Sequence, residues 1–168
     1  MRYKDYTKMK EKIKWDVKWI LTKYENDAAF ERGECYQRVE FENNLLLNEG
    51  IQLMLDLLIG GGGTVFSNAN AYIGVGDDTT AAAATQTGLQ AATNKAYVGM
   101  EATYPQRTGQ TVTFRSVFGS SVGNFSWQEF TIANGSSDAA VNLNRKVEDQ
   151  GAKVSGQTWT LDAEITIS

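Results

Sequence analysis

The sequence predicts a mainly β chain: an antiparallel β-sandwich of jelly-roll-like form, with one α-helix near residues 45–59 and a basic amino-terminal arm. Three observations predict it. Apolar and polar residues alternate with a period of two in several stretches, the mark of strands with one buried face. Sixteen glycines stand against one proline, and clusters of Gly, Ser, Thr and Asn break the chain at short intervals, as turns between short strands do. Only residues 45–59 place leucine and isoleucine at three-four spacing. With 168 residues and a hydrophobic fraction of 42%, the chain can bury one core without metals or disulfides. The expected organisation is an arm over residues 1–11 and a single sandwich domain with one packed helix over residues 12–168.

Residues 12–20 open the body, with Ile13, Trp15, Val17 and Trp19 on one face and Lys12, Lys14, Asp16 and Lys18 on the other. Val39 and Phe41 repeat the alternation over residues 36–42, and the polar stretch 25–34 would join the two strands as a hairpin with a long loop. The helix follows. Asn44 or Asn48 is placed to cap its start, and Gly60 to Gly63 end it, because glycine readily takes the left-handed geometry of a helix terminus. Its leucine face should pack on a sheet. Further strands are expected over residues 71–75, 96–104, 110–118, 125–133, 141–147 and 158–167. The last alternates most cleanly, with Trp159, Leu161, Ala163, Ile165 and Ile167 opposite Thr160, Asp162, Glu164 and Thr166. Residues 77–92 are polar and alanine-rich and fit either a surface loop or a short helix. No repeat of solenoid or propeller length and no heptad run stands out.

The net charge of −4 is unevenly spread. Residues 1–24 hold eight Lys or Arg against three Asp or Glu, and the rest of the chain holds eight against seventeen. A basic arm on an acidic body suits its own body, the acidic surface of a partner subunit or a polyanion. The candidate partner-binding residues are Arg2, Tyr3, Lys4, Tyr6, Lys8, Lys10, Lys12, Lys14 and Lys18. Their mixture of basic and aromatic side chains resembles a nucleic-acid surface in composition. Two points turn the expectation toward a protein partner with no direct nucleic-acid contact: Trp15 and Trp19 fall opposite the lysines, as core residues would, and the body is acidic. The apolar run at 45–59 is too short and too polar for a bilayer, and the first 14 residues lack the uncharged apolar block of a signal peptide. Synthesis in a cytoplasm without a membrane partner is therefore expected.

The chain has no histidine, which removes the commonest general base and the commonest metal ligand together. Cys35 stands alone, so neither an intramolecular disulfide nor a cysteine-based zinc site can form, and no imidazole is present to activate its thiol. Gly60 to Gly63 and Gly74-Val75-Gly76 invite a phosphate-loop reading, but no Gly-Lys-Ser/Thr follows, and Asp77 and Asp78 would repel phosphate. The same aspartates with Thr79 offer oxygens to Ca²⁺ without the spacing of an EF-hand loop. Paired carboxylates for glycoside hydrolysis are available by composition, yet acids such as Asp162 and Glu164 fall on what reads as a solvated strand face. Serine nucleophiles lack a base, and no Ser-x-x-Lys motif occurs. No enzyme activity and no cofactor are expected.

Three segments carry a resemblance. They are Asn-Leu-Leu-Leu-Asn-Glu-Gly-Ile-Gln-Leu-Met-Leu-Asp-Leu-Leu-Ile-Gly at 44–60, Ala-Tyr-Ile-Gly-Val-Gly-Asp-Asp-Thr-Thr-Ala-Ala-Ala-Ala-Thr-Gln-Thr-Gly-Leu at 71–89, and the end of the chain, with Leu-Asn-Arg-Lys-Val-Glu at 143–148 and Gly151 to Ser168. Together they resemble small virion structural proteins of tailed bacteriophages, variously minor structural, tail or head-decoration proteins. The resemblance spans residues 44–168 and leaves the basic arm outside it. It implies a virion location, the major capsid protein or other virion subunits as partners, and a homo-oligomer within the particle. A head-decoration or cement role suits a small body with a charged arm that adds many weak contacts across a lattice. A tail or neck component, including a tail-tip receptor or carbohydrate-binding module with Tyr, Trp and Asn on loops, is the alternative. A hydrolase using paired carboxylates is the third.

Overall fold

The computed structural model describes residues 12–168. Ten strands and two helices form among them: β1 (Trp15–Tyr24), α1 (Asp27–Glu31), β2 (Gln37–Glu42), β3 (Leu45–Leu46), α2 (Asn48–Ile59), β4 (Tyr72–Gly76), β5 (Lys95–Gly99), β6 (Gln106–Thr108), β7 (Thr111–Phe118), β8 (Glu129–Ala133), β9 (Asn144–Val147) and β10 (Thr158–Ile167). They make two five-stranded antiparallel sheets, ordered β2-β1-β10-β7-β6 and β3-β9-β8-β4-β5. The mainly β, two-sheet antiparallel fold agrees with the expectation from period-two alternation.

The first and last strands of the body are hydrogen-bonded neighbours along their whole length, from Trp15 opposite Ile167 to Tyr24 opposite Thr158. Both project alternate residues into one core. Trp19, Leu21, Phe114, Phe118, Trp159 and Leu161 of the first sheet meet Ile73, Val75, Phe130 and Ile132 of the second. Trp127 fills the centre with its ring edge-on to Phe118 at 4.7 Å and to Trp159 at 4.9 Å. At about 1.5–3 kcal/mol for each large side chain removed from water, this cluster is the chief source of stability.

Several boundaries differ from the sequence expectation. β1 begins at Trp15 and runs on to Tyr24, and Ile13 is 82% exposed instead of continuing the buried face. The pairing that holds this end, Lys14 N–H to the Ser168 carbonyl at 2.6 Å, lies where the sheet is already running out. The hairpin to β2 forms, but its connection carries α1, capped by Asn26, whose side chain accepts from the Ala29 N–H at 2.9 Å. Residues 45 and 46 are strand, paired with β9, so the helix starts at Asn48. Neither Asn44 nor Asn48 caps it: Leu47 occupies the cap position with no side-chain bond. Its end is as expected, with Gly60 left-handed at φ 71°. Residues 77–92 are a loop without helix, and the expected strand at 96–104 stops at Gly99 before a turn.

The larger correction concerns how α2 packs. Gly50 and Leu53 are its only buried residues, and Leu55, Leu58 and Ile59 are 56%, 80% and 79% exposed. The stripe Gly50, Leu53, Met54 matches the i, i+3, i+4 rows of one helix face, so the remaining leucines point elsewhere. Gly50 permits the approach: a Cβ there would lie 2.5 Å from the Leu143 carbonyl oxygen.

Candidate functional site

Of the nine candidate partner-binding residues, Arg2, Tyr3, Lys4, Tyr6, Lys8 and Lys10 lie outside the described residues. Lys12, Lys14 and Lys18 are described and face outward, opposite buried Trp19. Within β1 the expected division holds for Lys18, opposite buried Val17 and Trp19; Lys12 and Lys14 precede the strand, and Lys23 lies on its buried face. Lys14 pairs with Asp16 at 2.7 Å and Lys18 with Glu40 at 2.7 Å, and these hydrogen bonds raise both ammonium pKa values above the ordinary one. Both pairs are exposed and screened by solvent, so a partner carboxylate can replace them at little cost. Beside them a polar hollow of about 290 Å³ is lined by Lys14, Asp16, Lys18, Glu42 and Glu164.

A second, apolar hollow of about 200 Å³ opens where the chain enters β1. Trp15, Met54, Val112, Phe114, Leu143 and Ile165 line it, so the start of the described chain and α2 share one apolar mouth. On the same helix Leu55, Leu58 and Ile59 are exposed, and α2 carries Glu49 and Asp56 and no Lys or Arg. An exposed cluster of large aliphatic side chains is what a docking face presents, whereas apolar side chains scattered singly would carry no such meaning.

Sequence reasoning missed a buried polar network on the outer face of the second sheet. Arg145 and Glu129, on β9 and β8, are both fully buried and pair through Nε and Oε2 at 2.8 Å. The carboxylate also accepts the Gln90 N–H at 2.9 Å and the Ala91 N–H at 2.8 Å. Arg145 donates further to the Thr80 carbonyl at 2.7 Å, to Gln86 Oε1 at 3.1 Å and to Asp78 at 3.2 Å. One ion pair thus fastens the loop 77–92 to the sheet, with every partner a loop group the buried charges require. The only sequence signal was the pair of small residues on β4: a Cβ on Gly76 would lie 2.3 Å from Glu129 Oε1. Asp78 is consequently an arginine partner here, with its pKa lowered mainly by hydrogen bonds from Thr80.

Asp162 also departs from its expected solvated face. It is buried, holding Arg115 through two bonds of 2.6 and 2.5 Å. Two lysines are buried at the opposite end of the core from α2. Lys23 lies 4.4 Å above the Trp159 ring and donates to the Gln150 carbonyl at 2.7 Å, while burial lowers its pKa. Lys153 donates to the Gly119 carbonyl and Asn124 Oδ1, each at 2.8 Å, and burial pushes it down to about 8. Cys35 is exposed.

No family model, curated protein or solved structure matches the chain. The described residues contain no cluster of three or more acidic or thiol side chains placed to hold a metal ion, and no helix long and apolar enough to cross a membrane.

Proposed function

We propose that this chain is a non-enzymatic structural protein of a tailed-bacteriophage particle, a head-decoration or cement subunit that docks on neighbouring capsid subunits. In this reading the two sheets are a jelly-roll-like sandwich, and residues 1–11 are a basic arm. The observation that carries the reading is the exposed aliphatic face of α2, with Leu55, Leu58 and Ile59, on the same helix whose Met54 lines the apolar mouth beside Trp15. A chain built to stay solitary gains nothing from such a face, whereas a lattice subunit gains contact area. Lys12 and Lys14 before β1 and Lys18 on its outer face add charge that steers encounter with an acidic partner.

Full-length chains carrying Leu58→Glu with Ile59→Glu, or Lys4, Lys8 and Lys10 each changed to Glu, are expected to be lost from purified particles while the free protein melts as the parent does. Normal incorporation of both variants contradicts the reading. A tail or neck position, including a tail-tip receptor-binding module, is the second reading; it is favoured by a separate recess on the first sheet.

A further inference from the structure

That recess lies on the outer face of the first sheet, at the end of β1 away from α2. Its volume is about 270 Å³, and Ile20, Thr22, Val117, Thr160 and Asp162 lie along its strands. Ile20 and Asp162 are buried although they project to the outer face, so walls must stand over them. One wall is α1 and the end of β1, where Phe30 and Tyr24 meet edge-on at 5.3 Å. The other carries Glu101 and Arg115.

Both walls are anchored. Asp27 of α1 accepts from Thr158 and from Ser120, the latter at 3.0 Å, bonds that lower its pKa. Across the recess, Asn68 donates to the Glu101 and Tyr104 carbonyls at 2.9 and 2.6 Å, and the Glu101 N–H bonds the Arg115 carbonyl at 2.8 Å. Thr103 in this turn holds a left-handed φ of 73°, a strained value for a β-branched residue. Arg115 is fixed by its two bonds to Asp162 and by stacking 4.8 Å over the Tyr104 ring. Its Nη1 makes no hydrogen bond among the described residues, and neither do the hydroxyls of Thr22 and Thr160 or the carboxylate of Glu101.

We infer that this recess binds one uncharged sugar ring of a glycan. Arg38 and Arg115 balance Glu101 and Asp162, so the lining offers no net charge to a phosphate or carboxylate. It does offer donors and acceptors side by side, which a polyhydroxylated ring needs. Tyr24 and Phe30 supply the aromatic surface against which the apolar face of a sugar packs. The volume lies below the roughly 300 Å³ at which drug-sized pockets begin, which limits the occupant to a single small ring. Seven residues of strand, about 23 Å, separate Thr22 from Trp15, so a subunit docked through α2 would keep the recess open. The inference stands on its own observations and does not depend on a head position.

The test titrates the full ¹⁵N-labelled chain with the methyl glycosides of glucose, galactose, mannose, N-acetylglucosamine and N-acetylgalactosamine. At least one should bind with a dissociation constant near the millimolar range and shift the amides of Thr22, Glu101, Arg115 and Thr160. Thr160→Val and Glu101→Gln, which keep shape and fold, should each weaken that binding about tenfold, the equivalent of about 1.4 kcal/mol. Absence of shifts with all five sugars, shifts confined to another surface, or unchanged affinity in both variants overturns the inference. Loss of sugar binding with intact particle incorporation would separate this failure from that of the docking role.

Discussion

Replacing Arg145 by methionine should be among the most damaging single changes in the chain. Methionine keeps most of the side-chain volume and removes the guanidinium, so the effect isolates charge and hydrogen bonding. Glu129 would remain fully buried, still accepting from the Gln90 and Ala91 amides but facing no cation at 2.8 Å. Removing one member of a buried pair costs about 3–5 kcal/mol, against a total domain stability of roughly 5–15 kcal/mol. With a urea dependence of about 2 kcal/mol per molar, the unfolding midpoint should fall by about 1.5–2.5 M. Glu129→Gln alone should cost less, since Arg145 keeps Thr80, Gln86 and Asp78 as acceptors. The double variant should be at least about 2 kcal/mol more stable than the two single losses imply by addition. Hydrogen exchange gives a local readout: the Gln90 and Ala91 amides should lose protection in Arg145→Met before the β10 amides do. A midpoint within about 0.5 M of the parent, or additive single losses, would refute the claim that this pair fastens the loop.

Gly76→Ala should destabilise by about 2–4 kcal/mol, because the new methyl would sit 2.3 Å from Glu129 Oε1; an unchanged melting curve would show that the carboxylate moves freely. Asn26→Ala should cost about 1 kcal/mol by leaving the Ala29 amide without its cap, measured by urea unfolding. Lys153 supplies a pH test: its folded pKa, near 8, lies below the unfolded value of 10.5, so between these the unfolded chain binds more protons and stability should rise with pH. Lys153→Met should remove that part of the rise in a series of melts from pH 7 to pH 10, and parallel profiles would contradict it.

Alternation located the sheets because a residue facing the core must be apolar whatever its neighbours do. That rule recovered β1, β7 and β10, with Trp19, Phe114 and Trp159 inside. It failed where burial is achieved by pairing. Lys23 continues the inward face of β1 and is buried against Trp159, yet its sequence context reads as surface. Arg145 and Glu129 likewise read as solvent residues, since nothing local reveals that a loop 38 to 67 positions away supplies their partners. The excess of leucine in α2 was visible, but spacing alone could not say which rows would meet the mouth of the core and which would stay in water. Lys18 fell on the outward face as the alternation required, while residues 12–14 precede the strand and are exposed throughout; the ion pairs of Lys14 with Asp16 and of Lys18 with Glu40 were not readable from spacing. The recess needs α1, β1, β7, β10 and the turn after β5 together, so no single segment announced it.

Imaging of whole particles at a resolution that traces side chains would locate the subunit and its neighbours. This chain should then lie on the head shell at lattice-related positions, with Leu55, Leu58 and Ile59 covered and the basic leader against carboxylates of an adjacent subunit. Particles that lack the chain, or that carry it with α2 bare to solvent, would contradict this placement.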